Sequence, residues 1–283
     1  MRRMFLGLSL LLATAATAQA DEARMAPAAG SKLTYRMTAK TTTSAGRTTV
    51  TGQVYTYTFA SSDGLAAEGT IKLDAMLFDC KGRDDEPFCG RVLKAPGARA
   101  DGDLIRVPVP DDLARTLAKD SDFKVRYFVV EKRVSALPAL TGAGDALFND
   151  QDLLVTTNVM DCDPEPLLAL PPKGDAQHAT LSCRTTFSRS GWIGQGSKPA
   201  TSTDATKLDV IDFGVSSITL PSGTWDARRL KLSLISTSGA QSLEGEARFS
   251  EKLGVAVQTR WIAAAPNGET MTEFTSELIA TSP

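Results

Sequence analysis

From Trp225 to Ser236 the chain reads WDARRLKLSLIS, and from Ser242 to Ser250 it reads SLEGEARFS. In the first stretch Leu230, Leu232 and Leu234 alternate with Arg229, Lys231 and Ser233. A strict period of two with one apolar and one polar face marks a half-buried strand, not a helix. Ser238-Gly239 turns this strand into a second at 241–250, carrying Leu243, Ala247 and Phe249. Leu253-Gly254 leads to a third at 255–263, with Val255, Val257 and Trp261. Asn267-Gly268 is a strong two-residue hairpin signal before a fourth at 270–280. Four such strands in succession predict an antiparallel meander with one face buried and one wet.

The same alternation extends towards the N-terminus. Leu33, Tyr35 and Met37 share one face, as do Tyr55, Tyr57 and Phe59, and then Ile71, Leu73, Ala75 and Leu77. Phe123 to Val134 reads as a single strand that becomes apolar on both faces near Phe128–Val130. Further strands are expected near 153–159, 179–188 and 206–220. Helix is scarce: Asp111 is placed to cap a short helix over Asp112–Lys119, where Leu113 and Leu117 lie one turn apart. A turn each is expected in 138–150 and 164–171, the latter interrupted by Pro164, Pro166, Pro171 and Pro172. The Gly/Ser/Thr-rich stretch 191–206 is the one candidate boundary, so 21–283 reads as a single β-rich domain with a possible subdivision there.

The first residues carry a different message. Met1-Arg2-Arg3, the apolar run Met4–Leu12 and Ala18-Gln19-Ala20 have the order of a secretory signal peptide, expected to span 1–20. Its cleavage would remove two of the 31 bases and none of the 33 acids, taking the formal charge from −2 to −4. Such a chain has no basic excess to grip nucleic acid, and no later run is long enough for a transmembrane helix. The expected location is the periplasm or the exterior. Export also decides the reading of Cys80, Cys89, Cys162 and Cys183: an even number in an oxidising compartment implies disulfides. Sequence-near pairing, Cys80 with Cys89 and Cys162 with Cys183, is the first choice, with two other connectivities open. Loop-closure arithmetic gives about 2.7 kcal/mol for a loop of roughly 10 residues and about 3.4 kcal/mol for one of roughly 22.

Reactive machinery is not evident. There is no GxSxG, no HExxH and no EF-hand loop. Ser121-Asp-Phe-Lys124 matches SxxK but opens a strand, and Gly196-Ser197-Lys198 has the P-loop order reversed. His178, the one histidine, reads as a surface residue. Asp161, Asp163 and Glu165 surround Cys162 and read as a solvated disulfide loop, as Asp84-Asp85-Glu86 reads as a charged loop tip. No catalytic residue, metal site or cofactor is expected.

Two stretches carry a family resemblance. Leu220-Pro-Ser-Gly-Thr-Trp-Asp-Ala227, and then Phe249-Ser-Glu-Lys-Leu-Gly-Val255, resemble the run found in bacterial envelope proteins related to the LolA/LolB-like lipoprotein carriers. The resemblance is confined to the C-terminal part of the chain. It implies a half-barrel whose concave side shelters acyl chains or another apolar ligand. The fold class expected is therefore all-β or β-dominated, a strongly curved, half-barrel-like antiparallel sheet with one or two short helices. An outer-membrane barrel is the architectural rival; it favours aromatic girdles and commonly an aromatic last residue, whereas this sequence is 6% aromatic and ends Ala-Thr-Ser-Pro. Tyr55, Tyr57, Trp225, Phe249 and Trp261 are the candidates for an apolar ligand face; the competing reading is that they fill the core. The expected function is non-enzymatic binding of a lipid, acyl chain or envelope partner. The alternatives are an assembly factor making protein contacts without a small ligand, and a hydrolase with unrecognised carboxylate chemistry.

Overall fold

Strands that are apolar on one face need a covering, and in this protein the sheet covers itself by closing. The computed structural model describes residues 26–141, 146–164, 177–191, 199–237, 242–264 and 269–283. The expected leader, the turns at Ser238-Gly239 and Asn267-Gly268, Glu165 and most of 164–171 lie outside them. The first sheet segment holds β1 (Lys32–Thr43), β2 (Thr48–Ser62) and β3 (Ala66–Phe78). There follow α1 (Pro87–Lys94), β4 (Arg99–Asp101), β5 (Leu104–Pro108) and α2 (Asp111–Ala118). Then come β6 (Asp122–Arg126), β7 (Val129–Leu140), β8 (Phe148–Asp163), β9 (Gln177–Gly191) and β10 (Ala200–Leu220). The chain ends with β11 (Gly223–Ser236), β12 (Ser242–Ser250), β13 (Val255–Ala264) and β14 (Thr270–Ser282).

From β6 to β14 each strand pairs antiparallel with the next, β14 pairs with β1, β1 with β2, β2 with β3 and β3 with β6. The result is a closed antiparallel barrel of 12 strands. The strong curvature read from the sequence is present, and it continues to full closure. Of the candidate boundary 191–206, Gly191 ends β9 and 200–206 belong to β10, its neighbour in the sheet, while 192–198 lie outside the described residues. One stretch of wall is irregular. β3 pairs with β5 through Ala75–Phe78 and with β6 through Ala66–Thr70. The helix α2 lies between them and sends Leu113, Ala114 and Leu117 into the core.

Alternation now has a direction. Leu181, Leu208, Val210, Leu230 and Leu232 point into the barrel and are buried. The outward row carries Lys207, Lys231, Glu246, Arg260 and Glu273, with Arg260 Nε donating to Glu273 Oε1 at 2.6 Å and Arg229 Nη2 3.4 Å from Glu246 Oε1. An outer wall carrying such rows of charge is the reverse of a lipid-facing barrel. One outer apolar patch, Val54, Ala75 and Leu77, is covered by Leu104 and Ile279, and an ion pair from Arg36 to Asp101 ties β4 down beside it.

Three expectations are corrected. Phe123–Val134 is not one strand: a turn at Tyr127-Phe128 divides it into the β6–β7 hairpin, with Tyr127 at φ 54° in the left-handed region. Asp111 does not cap α2; it is the first helical residue after Pro110, and no side chain caps that end. The helix α1 was not expected at all, since its core-facing residues are only Cys89 and Val92 in a charged disulfide loop. The disulfides are Cys80–Cys89 and Cys162–Cys183, the latter linking directly opposed residues of β8 and β9.

Candidate functional site

Antiparallel connections alternate between two rims. The lower rim holds the β2–β3, β6–β7, β10–β11 and β12–β13 turns; the upper rim holds the β1–β2 turn and the strand ends at Leu140 and Phe148, Gly191 and Ala200, Ser236 and Ser242, and Ala264 and Thr270. The interior differs sharply between them.

Near the lower rim it is filled. Tyr127, at the tip of the β6–β7 hairpin, crosses to the opposite wall and packs against Phe249 with ring centroids 4.2 Å apart. Its hydroxyl accepts from Arg228 Nη1 at 3.1 Å. Arg228 also binds Asp212 through Nη2 and lies 3.5 Å from Glu251. Arg228 and Asp212 are both buried. Burial works against the Arg228 charge; Tyr127, Asp212 and Glu251 outweigh it and raise its pKa. Next to this lock, Tyr57 packs on Tyr35 at 5.4 Å and on Phe123 at 4.5 Å.

Towards the upper rim the inward residues meet solvent. The row Phe123, Arg133, Asn158, Phe187 and Ser202 runs across β6 to β10, each residue opposite the next. It passes from a buried Phe123 to Phe187 at 43% exposure. On the other side of the ring, Phe274 is 44% exposed and pairs with Trp261. Trp261 lies over Gly245, where a Cβ would come within 2.6 Å of the indole. Glycine there lets the ring lie flat against the wall.

Between the two zones stands Arg133. Protein crowds it on nearly every side, yet it keeps partial contact with solvent. Its Nε donates to Ser135 Oγ at 3.0 Å, its guanidinium lies 5.1 Å from the Tyr55 ring centre, and Nη2 is 3.4 Å from Met37 Sδ. Burial opposes its charge, and Tyr57 and Tyr55 more than compensate, raising its pKa. Burial likewise pushes the Tyr55 hydroxyl up to about 12, with Arg133 acting in the opposite direction.

The sequence-derived candidates fall into different places. Tyr55, Tyr57 and Phe249 face inward and are buried in packed clusters. Trp261 faces inward and is half-buried on the upper side. Trp225, in the β10–β11 hairpin past a register shift, is partly buried against the cluster that holds Tyr55 and Tyr57, with its indole N–H donating to Ser222 Oγ at 3.0 Å. The sequence reading missed Arg133, Met37, Phe187 and Phe274. One signal was available: in the alternation that starts at Phe123, Arg133 falls on the apolar phase.

Other chemical candidates disperse. His178 Nε2 is 3.6 Å from Asp209 Oδ1, but Thr180 donates to that carboxylate at 2.6 Å and not to the imidazole, so no nucleophile–base pair forms. Ser121 is buried and donates to Leu117 O at 2.7 Å, while Lys124 pairs with Glu68 and Glu131. Glu86 is clamped by Arg83, whose Nε and Nη2 donate to its two oxygens at 2.7 and 2.8 Å. A cleft of about 450 Å³ lies where β7 and β8 part below Lys132 and Val159, and its lysines are matched by acids, Lys132 with Asp122 at 3.1 Å. Among the described residues no group of three His, Cys, Asp or Glu is placed to hold a metal ion.

No protein-family model matches the chain, and no curated protein matches it in sequence. Solved structures that are weakly similar include the following three. The hypothetical lipoprotein YmcC of Escherichia coli K12 aligns with 87% of this chain over 85% of its own, at 8% identity and a TM-score of 0.39. A lipoprotein of Parabacteroides distasonis aligns with 92% of this chain over 99% of its own, at 10% identity and 0.34. An exported protein of Bacteroides fragilis with a YmcC-like fold gives 92%, 100%, 10% and 0.31. None of the three bears a LolA or LolB name, and likeness at this level assigns neither family nor function.

Proposed function

We propose that this protein is a non-enzymatic binding protein of the cell envelope that holds an apolar ligand, of acyl-chain character, in the upper half of its barrel. The observation that carries the reading is the exposure of Phe187 and Phe274 inside the barrel, while the outer wall is charged. Large rings held in contact with water on a concave inner surface are what a ligand pocket presents. The two disulfides fit an exported protein. Closure of the ring favours this reading over assembly by strand addition, since the 12 barrel strands pair around the ring and the terminal edge strand, β4, is only three residues long.

Native mass spectrometry of the gently isolated protein tests it. A co-purifying lipid mass, or saturable uptake of the neutral fluorophore N-phenyl-1-naphthylamine that is weakened by Phe187→Asp, is the expected result. A clean apo mass together with no uptake of the fluorophore overturns it.

A further inference from the structure

Among the described residues three arginines share the inward phase: Arg189, two residues beyond Phe187 on β9, is exposed near the upper rim, and of the two enclosed ones, Arg228 and Arg133, only one is neutralised. Arg228 has Asp212 and Glu251 beside it. Among the described residues no carboxylate pairs with Arg133, whose partners are the Ser135 hydroxyl, the ring and hydroxyl of Tyr55 and the Met37 sulfur. A guanidinium so enclosed is ordinarily matched by an anion, because burial without one is costly.

The atom it meets instead is informative. Arg133 Nη2 lies 3.4 Å from Met37 Sδ, and the Tyr57 hydroxyl lies 4.0 Å from the same sulfur. A neutral thioether is a weak acceptor, so two good donors converge on a group that uses neither well. Their positions are held independently of it. Ser135 fixes the Nε edge of Arg133, Tyr55 supports its face, and Tyr57 is wedged between Tyr35 and Phe123. Met37 is the adaptable member: unbranched, half-buried and able to change rotamer at small cost.

The geometry points to a carboxylate site at the inner end of the barrel chamber, in which Arg133 and Tyr57 bind the head of a long-chain acid after Met37 swings aside. This rests on the chamber reading proposed above and names the class of ligand. The one enclosed guanidinium balances a monoanion, whereas a phosphate dianion would leave charge uncompensated in the same place, since Arg189 on the same inward phase is exposed nearer the rim. The tail has a path: the row from Arg133 through Asn158 leads to Phe187, with Trp261 and Phe274 on the facing wall.

The test compares oleate with methyl oleate, which has the same tail and no charge, by displacement of N-phenyl-1-naphthylamine. The expected result is that oleate binds roughly ten- to a hundredfold more tightly, the range for a charge-assisted hydrogen-bonded pair. In Arg133→Gln the preference should collapse to about onefold through loss of oleate affinity, with methyl oleate unchanged, and Arg133→Lys should restore part of it. Should Arg133→Gln not fold, Tyr57→Phe decides: it must reduce the preference for oleate severalfold while leaving methyl oleate alone. Equal binding of acid and ester by the native protein, or a preference that survives these variants, overturns the carboxylate site and leaves the chamber standing. Failure of both ligands to bind overturns the chamber and the site together.

Discussion

The lower and upper halves of the barrel use the same strands and the same alternation, yet their interiors are built to different ends. Below, Tyr127 spans the interior to Phe249 and an arginine is locked by two acids and a phenol. Above, Phe187 and Phe274 remain wet, and an arginine meets a sulfur. The lower half carries stability, because its large inward rings are packed and its buried arginine is matched by acids. The upper half leaves inward groups with something still to gain, which is the condition for binding.

The largest effect should come from breaking the lock. Arg228→Ala leaves the buried Asp212 carboxylate without its counter-charge and should cost about 3–5 kcal/mol in urea unfolding. A loss below about 1 kcal/mol would remove the lock from the account of stability. The contrast between halves is sharpened by two truncations of the same residue type. Phe249→Ala should destabilise by about 3–5 kcal/mol, and Phe187→Ala by less than about 1 kcal/mol. Equal costs would mean that the upper interior is packed after all.

Alkali offers a subtler probe. The Tyr55 and Tyr127 hydroxyls are pushed up to about 12 and that of Tyr35 higher still, in each case first by burial. With the folded values above the unfolded one near 10, the stabilisation is complete below about pH 10 and declines as the unfolded chain ionises above it. Tyrosinate absorbance from these residues should therefore rise together with loss of the β circular-dichroism signal, not before it. The smallest effect belongs to the outer wall. Arg260 donates to Glu273 and holds its carboxyl below the usual range, so that contribution is present above the unfolded value and lost as pH falls through the folded one. Glu273→Gln should leave neutral stability nearly unchanged and slightly flatten the acid limb of the stability–pH curve.

Much of the wall was legible in the amino acids. The strand expected at 225–236 spans Gly223–Ser236, and that at 255–263 spans Val255–Ala264, because alternation is a local property that a half-buried strand must display. The β6–β7 turn was not legible. Tyr127-Phe128 has no glycine, proline or asparagine, and Tyr127 adopts a positive φ that its own side chain disfavours. What accompanies it there is contact with Phe249 and Arg228, more than a hundred residues later in the chain. The candidate site was half legible. Of the expected ligand face, Trp261 lies in the upper half and Tyr55 and Tyr57 border Arg133 and Met37, whereas Phe249 belongs to the packed lower half; Arg133, in the run Glu131-Lys132-Arg133, looked like part of an ordinary wet face.

The amino acids alone determined that this is an alternating, β-dominated chain, which face of most strands would be apolar, and that the cysteines form an even set. Tertiary structure decided that the sheet closes, that Arg228, Asp212 and Arg133 turn inward while other charged rows face outward, and that Arg133 and Tyr57 meet at Met37. The division has a physical cause. Alternation is set by nearest neighbours along one strand, whereas closure depends on how the registers of all the strands add around the ring. Met37 and Arg133 are 96 residues apart in sequence, and only that sum of registers brings them into contact.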